Sequence, residues 1–134
     1  MGSNLAFARE ALAIFRSEAP DHYVRIARTL RPAPGVYTVD AESISVTSQS
    51  DEVTIAPAGS AAPYTIRASI SAPDVVRLID GTVMLETLLA DERLRIIASA
   101  DDLLLLAEAV AAFLDGAIAS RRLSDLFERY RAWV

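Results

Sequence analysis

Few side chains in this sequence combine the types and the spacing that catalysis requires. His22 is the only histidine, so metal binding or proton transfer by a pair of imidazoles is excluded. It follows Asp21 at the start of a predicted helix, and no nucleophile-elbow motif accompanies it. Composition alone leaves Ser-His-Asp catalysis open, but we expect His22 to be an exposed polar residue.

Two pairs of acidic residues, Asp91-Glu92 and Asp101-Asp102, flank the last predicted strand. Paired carboxylates can perform acid–base chemistry or hold a hard cation. A turn and a helix N-terminus explain the same residues more simply, because acids are stabilised at the positive end of a helix dipole. The glycines are isolated and form no G-x-G-x-x-G phosphate loop. We therefore predict no catalytic residue, no metal site and no cofactor.

Glu86 and Glu108 are the remaining candidates for chemistry, because each interrupts an apolar helix. Burial in an apolar pocket shifts the pKa of a carboxyl group, which can then transfer protons to an apolar substrate. A helix face turned to water is the simpler interpretation of both residues. We predict that the chain is not an enzyme, and a small enzyme acting on an apolar substrate is the least favoured alternative.

Composition and charge indicate one globular domain over residues 1–134. The formal net charge is −5, there is no cysteine, and the longest basic run is Arg121-Arg122. Nucleic-acid binding depends on clustered positive charge, so we exclude it. The N-terminus lacks a basic leader before an apolar run, and the stretch 103–114 is too short to span a bilayer. We expect a cytoplasmic protein with at most transient membrane contact.

Hydrophobic periodicity divides the first half of the chain into helices and then strands. Apolar residues recur at helical spacing over residues 4–17, and Pro20 begins a second helix. Alternating apolar residues then predict strands at 36–39 and 43–47, from residue 53, and at 64–70, with a turn at 48–51 and a loop at 57–63. The short connections between these strands favour antiparallel pairing.

Helix caps mark the boundaries in the second half. Ser71, followed by Pro73 and Asp74, has the pattern of a helix N-terminus, and Ser99 repeats the cap. The predicted elements are a helix that stops at Gly81, a short helix from Thr82 to Ala90, a strand at 93–98, a helix at 100–118 and an amphipathic C-terminal helix at 119–134.

The helix at 100–118 is apolar almost all round, and the helix at 82–90 is rich in leucine. Such helices either lie between two layers or face a second apolar volume besides the sheet. A hydrophobic cavity between helices and sheet, a dense core and a dimer face all satisfy this pattern. We predict that a cavity, if formed, is lined by Val76, Ile79, Met84, Leu85, Leu88, Leu106, Val110, Phe113 and Leu114.

The order of elements resembles the sterol carrier protein type 2 family. The resemblance rests on a strand, Ser71-Ala-Pro-Asp74, a helix ending at Asp80-Gly81, a short helix, a strand, Ser99-Ala-Asp-Asp102 and a long helix. It covers residues 35–118 well and the N-terminal helices loosely. It implies an α/β (α+β) fold, with a five-stranded, mainly antiparallel sheet covered by helices. It also implies an apolar cavity between the layers that takes fatty acyl chains, sterols or other lipids.

The favoured hypothesis is binding or carriage of a hydrophobic small molecule. The alternative is a non-catalytic interaction or dimerisation domain of a larger enzyme system. In that case the C-terminal helix is an interface for a second copy or a partner, because large exposed apolar stripes normally mark interfaces. The same helix could instead be a lid on the cavity. Its apolar stripe consists of Leu123, Leu126, Phe127, Tyr130 and Trp133.

Overall fold

The computed structural model describes residues 2–59 and 63–134, so residues 60–62 of the predicted loop lie outside the described part. The elements are α1 (Asn4–Glu18), α2 (Pro20–Leu30), β1 (Gly35–Val39), β2 (Glu42–Gln49), β3 (Glu52–Pro57), β4 (Ile66–Ile70), α3 (Ala72–Ile79), α4 (Leu85–Ala90), β5 (Leu94–Ile97), α5 (Ala100–Ala117) and α6 (Arg121–Trp133).

The five strands form one sheet in the order β3-β2-β1-β4-β5. Three of the four pairings are antiparallel, which confirms the predicted mainly antiparallel sheet. The central pairing of β1 with β4 is parallel, with Gly35 beside Ile66 and Val39 beside Ile70. Antiparallel pairing was therefore the wrong prediction at this one position. The chain forms β2 and β3 between β1 and β4. This connection is long enough for β4 to lie beside β1 in the parallel direction.

The β2–β3 hairpin turns more tightly than predicted. Ser48 and Gln49 remain in β2, and only Ser50 and Asp51 form the turn. Both have positive φ, at 52° and 62°, as a two-residue hairpin turn requires to match the strand twist. Aspartate and asparagine tolerate this backbone region better than most residues, and Asp51 also accepts hydrogen bonds from Arg28 of α2 and from Arg31, which follows that helix.

Serine caps start four of the helices, and the Ser3 hydroxyl accepts from Ala6 N at the start of α1. The Ser71 hydroxyl accepts a hydrogen bond from Asp74 N, and the Ser99 hydroxyl accepts one from Asp102 N. Ser120, which we did not identify from the sequence, caps α6 in the same way. At the other end of α3, Gly81 has a φ of 71° and ends the helix as predicted.

The short helix α4 begins three residues later than predicted. Thr82 does not cap it, because the Thr82 hydroxyl donates to Arg77 O and closes the end of α3 instead. Met84 precedes the first turn of α4 and is 67 % exposed. The stretch that looked continuously helical and apolar is therefore a turn followed by a helix of less than two turns.

Helices α1, α2, α5 and α6 build the main core with one face of the sheet. Its buried side chains are Ile14, Phe15, Tyr23, Ile26, Leu30, Ala109, Ala112, Leu123 and Leu126. A smaller cluster of Ala33, Ile66 and Leu106 lies under the other half of the sheet. The opposite sheet face carries short polar side chains such as Thr38 and Ser43, whose hydroxyls are 2.9 Å apart.

Helix α5 is only partly enclosed. Leu106 is buried, whereas Leu104 is 64 % exposed and Ile118, just beyond the helix, is 89 % exposed. Full enclosure by two layers is thus not the reason for its apolar sequence. No single helix in the described part of the chain has the length and hydropathy to cross a membrane, and α5 with α6 reaches them only as a pair bent by 110°.

A hydrophobic cavity as the candidate site

An apolar cavity of about 270 Å³ lies between the helices and the covered face of the sheet. Helices α1, α3, α5 and α6 and strands β1 and β2 all contribute to its walls. The volume is just below the range of roughly 300–1,000 Å³ typical of small-molecule sites. Its lining residues are Asn4, Phe7, Ala8, Ala11, Val39, Ile44, Val75, Leu78, Ile79, Val110, Phe113, Leu114, Leu126, Phe127 and Tyr130.

One face of α1 leaves room for the cavity because two of its residues are small. Asn4, Phe7, Ala8 and Ala11 follow the i, i+3, i+4, i+7 spacing that places side chains on one side of a helix. Ala8 and Ala11 present only methyl groups where larger side chains would meet the opposite wall. Alanine is also the strongest helix former, so this space carries no cost in helix stability.

Helix α3 forms a second wall, held in place by a buried carboxylate. Asp74 is 3 % exposed and accepts hydrogen bonds from the Ser71 hydroxyl at 3.0 Å, Arg77 at 2.6 Å and Arg93 at 3.2 Å. Burial alone would raise the pKa of Asp74, but the Ser71 hydrogen bond and the charges of Arg93 and Arg77 lower it below its ordinary value. The charged Asp74 therefore ties the start of α3 to β5.

Helix α6 closes a third side of the cavity. Leu126 and Tyr130 are buried, and the ring of Phe127 lies 6.3 Å from that of Phe113 of α5, tilted by 59°. Near the end of the helix, Trp133 contacts the rings of Phe7 and Tyr130 at centroid distances of 5.4 and 5.9 Å. The predicted α6 stripe is thus largely covered within this chain, and Trp133, 43 % exposed, is its most accessible member.

Polar groups reach the cavity wall at one place, where Asn4 and Tyr130 meet. The Tyr130 hydroxyl donates a 2.7 Å hydrogen bond to Asn4 Oδ1. Glu42 of β2 accepts bonds from Asn4 N and Leu5 N, both at 2.8 Å, and so holds the first turn of α1. Burial and the nearby charges of Asp40 and Glu42 raise the pKa of Tyr130 to about 12, so its hydroxyl stays protonated.

Four of the nine side chains that we predicted for the cavity lie on its wall, namely Ile79, Val110, Phe113 and Leu114. A role for them in ligand binding stays a prediction. Val76 is half-buried on α3, whose cavity face carries Val75, Leu78 and Ile79 instead. Residues 76–114 therefore contribute fewer side chains to the cavity wall than expected.

The other four predicted residues lie elsewhere. Leu106 belongs to the smaller core cluster, and Leu88 is buried on α4, which packs against β5. Leu85 is half-buried at the start of α4, and Met84 is turned to solvent. Met84, Leu85 and Leu88 share one reason, since α4 lies at the β5 edge of the sheet and does not reach the cavity between α1 and α6. Leu106 lies on α5 and packs instead against Ala33 and Ile66.

The sequence did not indicate that α1 lines the cavity, because its apolar stripe has the same pattern as one that packs in a core. Asn4 carried no distinctive signal, since short polar residues are common at the start of a helix. Its burial to 7 % exposure, opposite a tyrosine near the other end of the chain, depends on tertiary packing and has no local signature.

A second, more polar cavity of about 430 Å³ adjoins the first. The two share Leu78, Ile79, Leu114 and Phe127 as lining residues. Arg131 of α6 spans the second cavity and forms a two-point ion pair with Asp80 at the end of α3. The two cavities therefore meet along a shared wall between α3, α5 and α6.

None of the histidine and acidic side chains singled out from the sequence lies on the wall of the apolar cavity. His22 is half-buried rather than fully exposed, because its Nε2 lies 2.9 Å from Asp115 Oδ2 and its ring contacts Phe15. Glu86 and Glu108 are exposed, so neither lies in an apolar pocket. Among residues 2–59 and 63–134, no group of three His, Asp or Glu side chains could hold a metal ion.

Comparison with known proteins identifies the fold by structure alone. No protein-family model and no curated protein sequence matches the chain. A structure of UbiJ-SCP2, a ubiquinone synthesis protein, matches with a TM-score of 0.56 and 14 % identity over 69 % of this chain and 77 % of its own. Sterol carrier protein 2 from Yarrowia lipolytica, in its apo form, matches with a TM-score of 0.54 and 15 % identity. That match covers 81 % of this chain and 90 % of the Yarrowia protein.

A similar region also occurs inside a larger enzyme. The stereoselective inverting sec-alkylsulfatase Pisa1 from Pseudomonas sp. matches with a TM-score of 0.52 and 9 % identity over 64 % of this chain, which spans only 14 % of the sulfatase. At these identities the matches describe architecture. The chain therefore has the sterol carrier protein 2-like α+β fold that its order of elements predicted.

Proposed function

We propose that this chain binds a hydrophobic small molecule, such as a fatty acyl chain, a sterol or another lipid, in the cavity between α1, α3, α5 and α6. The observation that carries the proposal is the cavity itself, whose wall is apolar except at Asn4 and Tyr130. Well-packed interiors contain few voids larger than a water molecule, so a cavity of this size needs an explanation beyond folding. The fold of the sterol carrier protein 2 structures supports the same proposal.

The binding energy comes from apolar area that leaves water. A tail of about ten methylene groups gains roughly 8 kcal/mol at about 0.8 kcal/mol each. Association and ordering then cost several kcal/mol, so we expect dissociation constants from about the micromolar range upward. Affinity in this range suits a carrier, which must release its ligand, and carriage is the second part of the proposal.

Native mass spectrometry after mild purification tests binding directly, because a carrier retains part of its natural ligand. A titration with dodecanol and dodecanoate, followed by the fluorescence of Trp133, tests it with defined probes. Trp133 is the only tryptophan and contacts two residues of the cavity wall. We expect saturable binding of at least one probe. Absence of both co-purified lipid and saturable binding contradicts the proposal.

Transfer between two populations of lipid vesicles tests carriage, with the protein expected to accelerate transfer of a bound lipid. We further propose that the chain acts in the cytoplasm and is not itself an enzyme. Exposure of Glu86 and Glu108 supports the last point, since neither carboxyl group lies in an apolar pocket that could hold an apolar substrate.

A second candidate function is a non-catalytic interaction or dimerisation domain of a larger enzyme system. The match to one segment of a much longer alkylsulfatase favours it. The α6 stripe is less suited to this role than expected, because Leu123, Leu126 and Tyr130 are buried within the chain. Sedimentation velocity over a concentration series separates the two cases, since an interface requires a mass that rises with concentration.

A further inference from the structure

The single polar spot in the cavity wall has unused hydrogen-bonding capacity. Asn4 is 7 % exposed and Tyr130 is 6 % exposed, and both line the cavity. The bond from the Tyr130 hydroxyl occupies Asn4 Oδ1. None of the side-chain hydrogen bonds formed by the described residues involves Asn4 Nδ2. Every fully buried polar side-chain atom of the described residues has a hydrogen-bond partner, so the unbonded Asn4 Nδ2 keeps accessible surface and can bond a ligand.

Two complementary groups are thereby offered to a ligand. Asn4 Nδ2 supplies N–H donors, and the oxygen of Tyr130 retains lone pairs after donating its own hydrogen. An alcohol oxygen can accept from the amide while its O–H donates to the tyrosine oxygen. A hydroxyl group thus satisfies both partners at once, whereas a plain hydrocarbon satisfies neither.

The electrostatic surroundings disfavour an anionic head at the same place. Glu42 holds the backbone of Asn4 and Leu5 through both carboxylate oxygens, so its charge is fixed beside the spot. The charges of Glu42 and Asp40 already oppose ionisation of the Tyr130 hydroxyl. A carboxylate brought to this apolar position would lose hydration and meet like charge.

We propose that Asn4 and Tyr130 form a recognition site for a neutral hydroxyl group at one end of an otherwise apolar ligand, and that Glu42 excludes carboxylates from it. This inference rests on the proposed function, and it adds the chemical class of the head group. The ligand is an alcohol-like amphiphile whose body fills the apolar cavity and whose hydroxyl bonds to the Asn4–Tyr130 pair.

Competitive titration at neutral pH tests the inference with dodecanol and dodecanoate, which share a chain length and differ in the head. One added neutral hydrogen bond and the desolvation of a carboxylate together predict about tenfold tighter binding of dodecanol. Tyr130→Phe keeps the ring and removes the hydroxyl, so we expect dodecanol affinity to fall several-fold and dodecanoate affinity to stay unchanged.

Two further variants separate recognition from general damage. Tyr23→Phe is the matched control, because the buried Tyr23 hydroxyl accepts a bond from Val53 N away from the cavity, and the ratio of the two affinities should not change. Glu42→Gln removes the fixed charge and should strengthen dodecanoate binding relative to dodecanol. A purely structural role for Glu42 would leave that ratio unaltered.

The outcomes distinguish the inference from the function on which it rests. If neither probe binds, the proposed function fails and the inference fails with it. Equal or tighter binding of dodecanoate overturns the inference alone and leaves a general hydrophobic site. The inference alone is also overturned if Tyr130→Phe lowers the affinity for dodecanol and for dodecanoate by the same factor. That result would indicate a disturbed cavity.

Discussion

Filling the cavity from its α1 wall should stabilise the protein and weaken ligand binding at the same time. Ala8 contributes only a methyl group to the wall and belongs to neither core cluster. Ala8→Leu adds three carbons, each worth about 0.8 kcal/mol when buried. If the side chain enters empty space, the free energy of unfolding rises by up to about 2 kcal/mol. Without a void, overpacking lowers it by about 1–3 kcal/mol.

Urea denaturation followed by circular dichroism measures this difference, with an unchanged slope as the sign that the unfolding reaction is the same. Ala13→Leu is the matched control, because Ala13 lies on the exposed side of the same helix and should change stability by less than about 0.5 kcal/mol. We also expect Ala8→Leu to reduce the affinity for dodecanol about tenfold. A destabilised Ala8→Leu protein with intact binding would refute the cavity as the ligand site.

Three further predictions concern the frame around the cavity. Asp74→Asn should cost about 2 kcal/mol at neutral pH, because hydrogen bonds to a buried charge are lost. Since the folded-state pKa of Asp74 is lowered, its contribution is complete above about pH 4 and disappears below it, so the variant should lose less stability on acidification than the parent protein. Gly116→Ala should cost about 1–3 kcal/mol, because the new methyl carbon would lie 2.7 Å from the ring of Phe15. Asp80→Asn should change stability by less than about 1 kcal/mol, because the ion pair with Arg131 is half-exposed, yet it should accelerate hydrogen exchange in α6 and ligand release.

Each of these predictions has its own control. Urea titrations over a pH series compare Asp74→Asn with the parent protein, and parallel curves would contradict the assigned pKa direction. Gly59→Ala serves as the control for Gly116→Ala, because none of the described residues has an atom within 4 Å of a methyl group there. For Asp80→Asn, unchanged exchange rates in α6 would show that its ion pair does not restrain the helix.

Local rules predicted most of the fold. The caps at Ser71 and Ser99 and the stop at Gly81 depend on neighbours within a few residues, and all three are confirmed. Thr82 shows the limit of such rules, because its hydroxyl could cap the next helix or close the previous one. Only the conformation of the turn decides between them.

The candidate site was less predictable, because its walls come from helices far apart in the chain. An apolar stripe on α1 or α6 has the same pattern whether it faces core or cavity. The leucines of α4 matched a cavity pattern equally well, yet the position of α4 at the sheet edge places them elsewhere. The parallel pairing of β1 with β4 could not be predicted from local patterns either, since the order of strands is a property of the whole sheet.

The main core joins α1 and α2 to α5 and α6, and this has a consequence for how the chain folds during synthesis. Leu123 and Leu126, among the most buried side chains, belong to α6, and they pack against residues of α1 and α2, which leave the ribosome before α6 does. Contacts between distant parts of a chain form slowly because loop closure costs entropy. Until α6 emerges, the apolar faces of α1 and α2 lack their partner, and the nascent chain presents a surface that chaperones recognise and that favours aggregation.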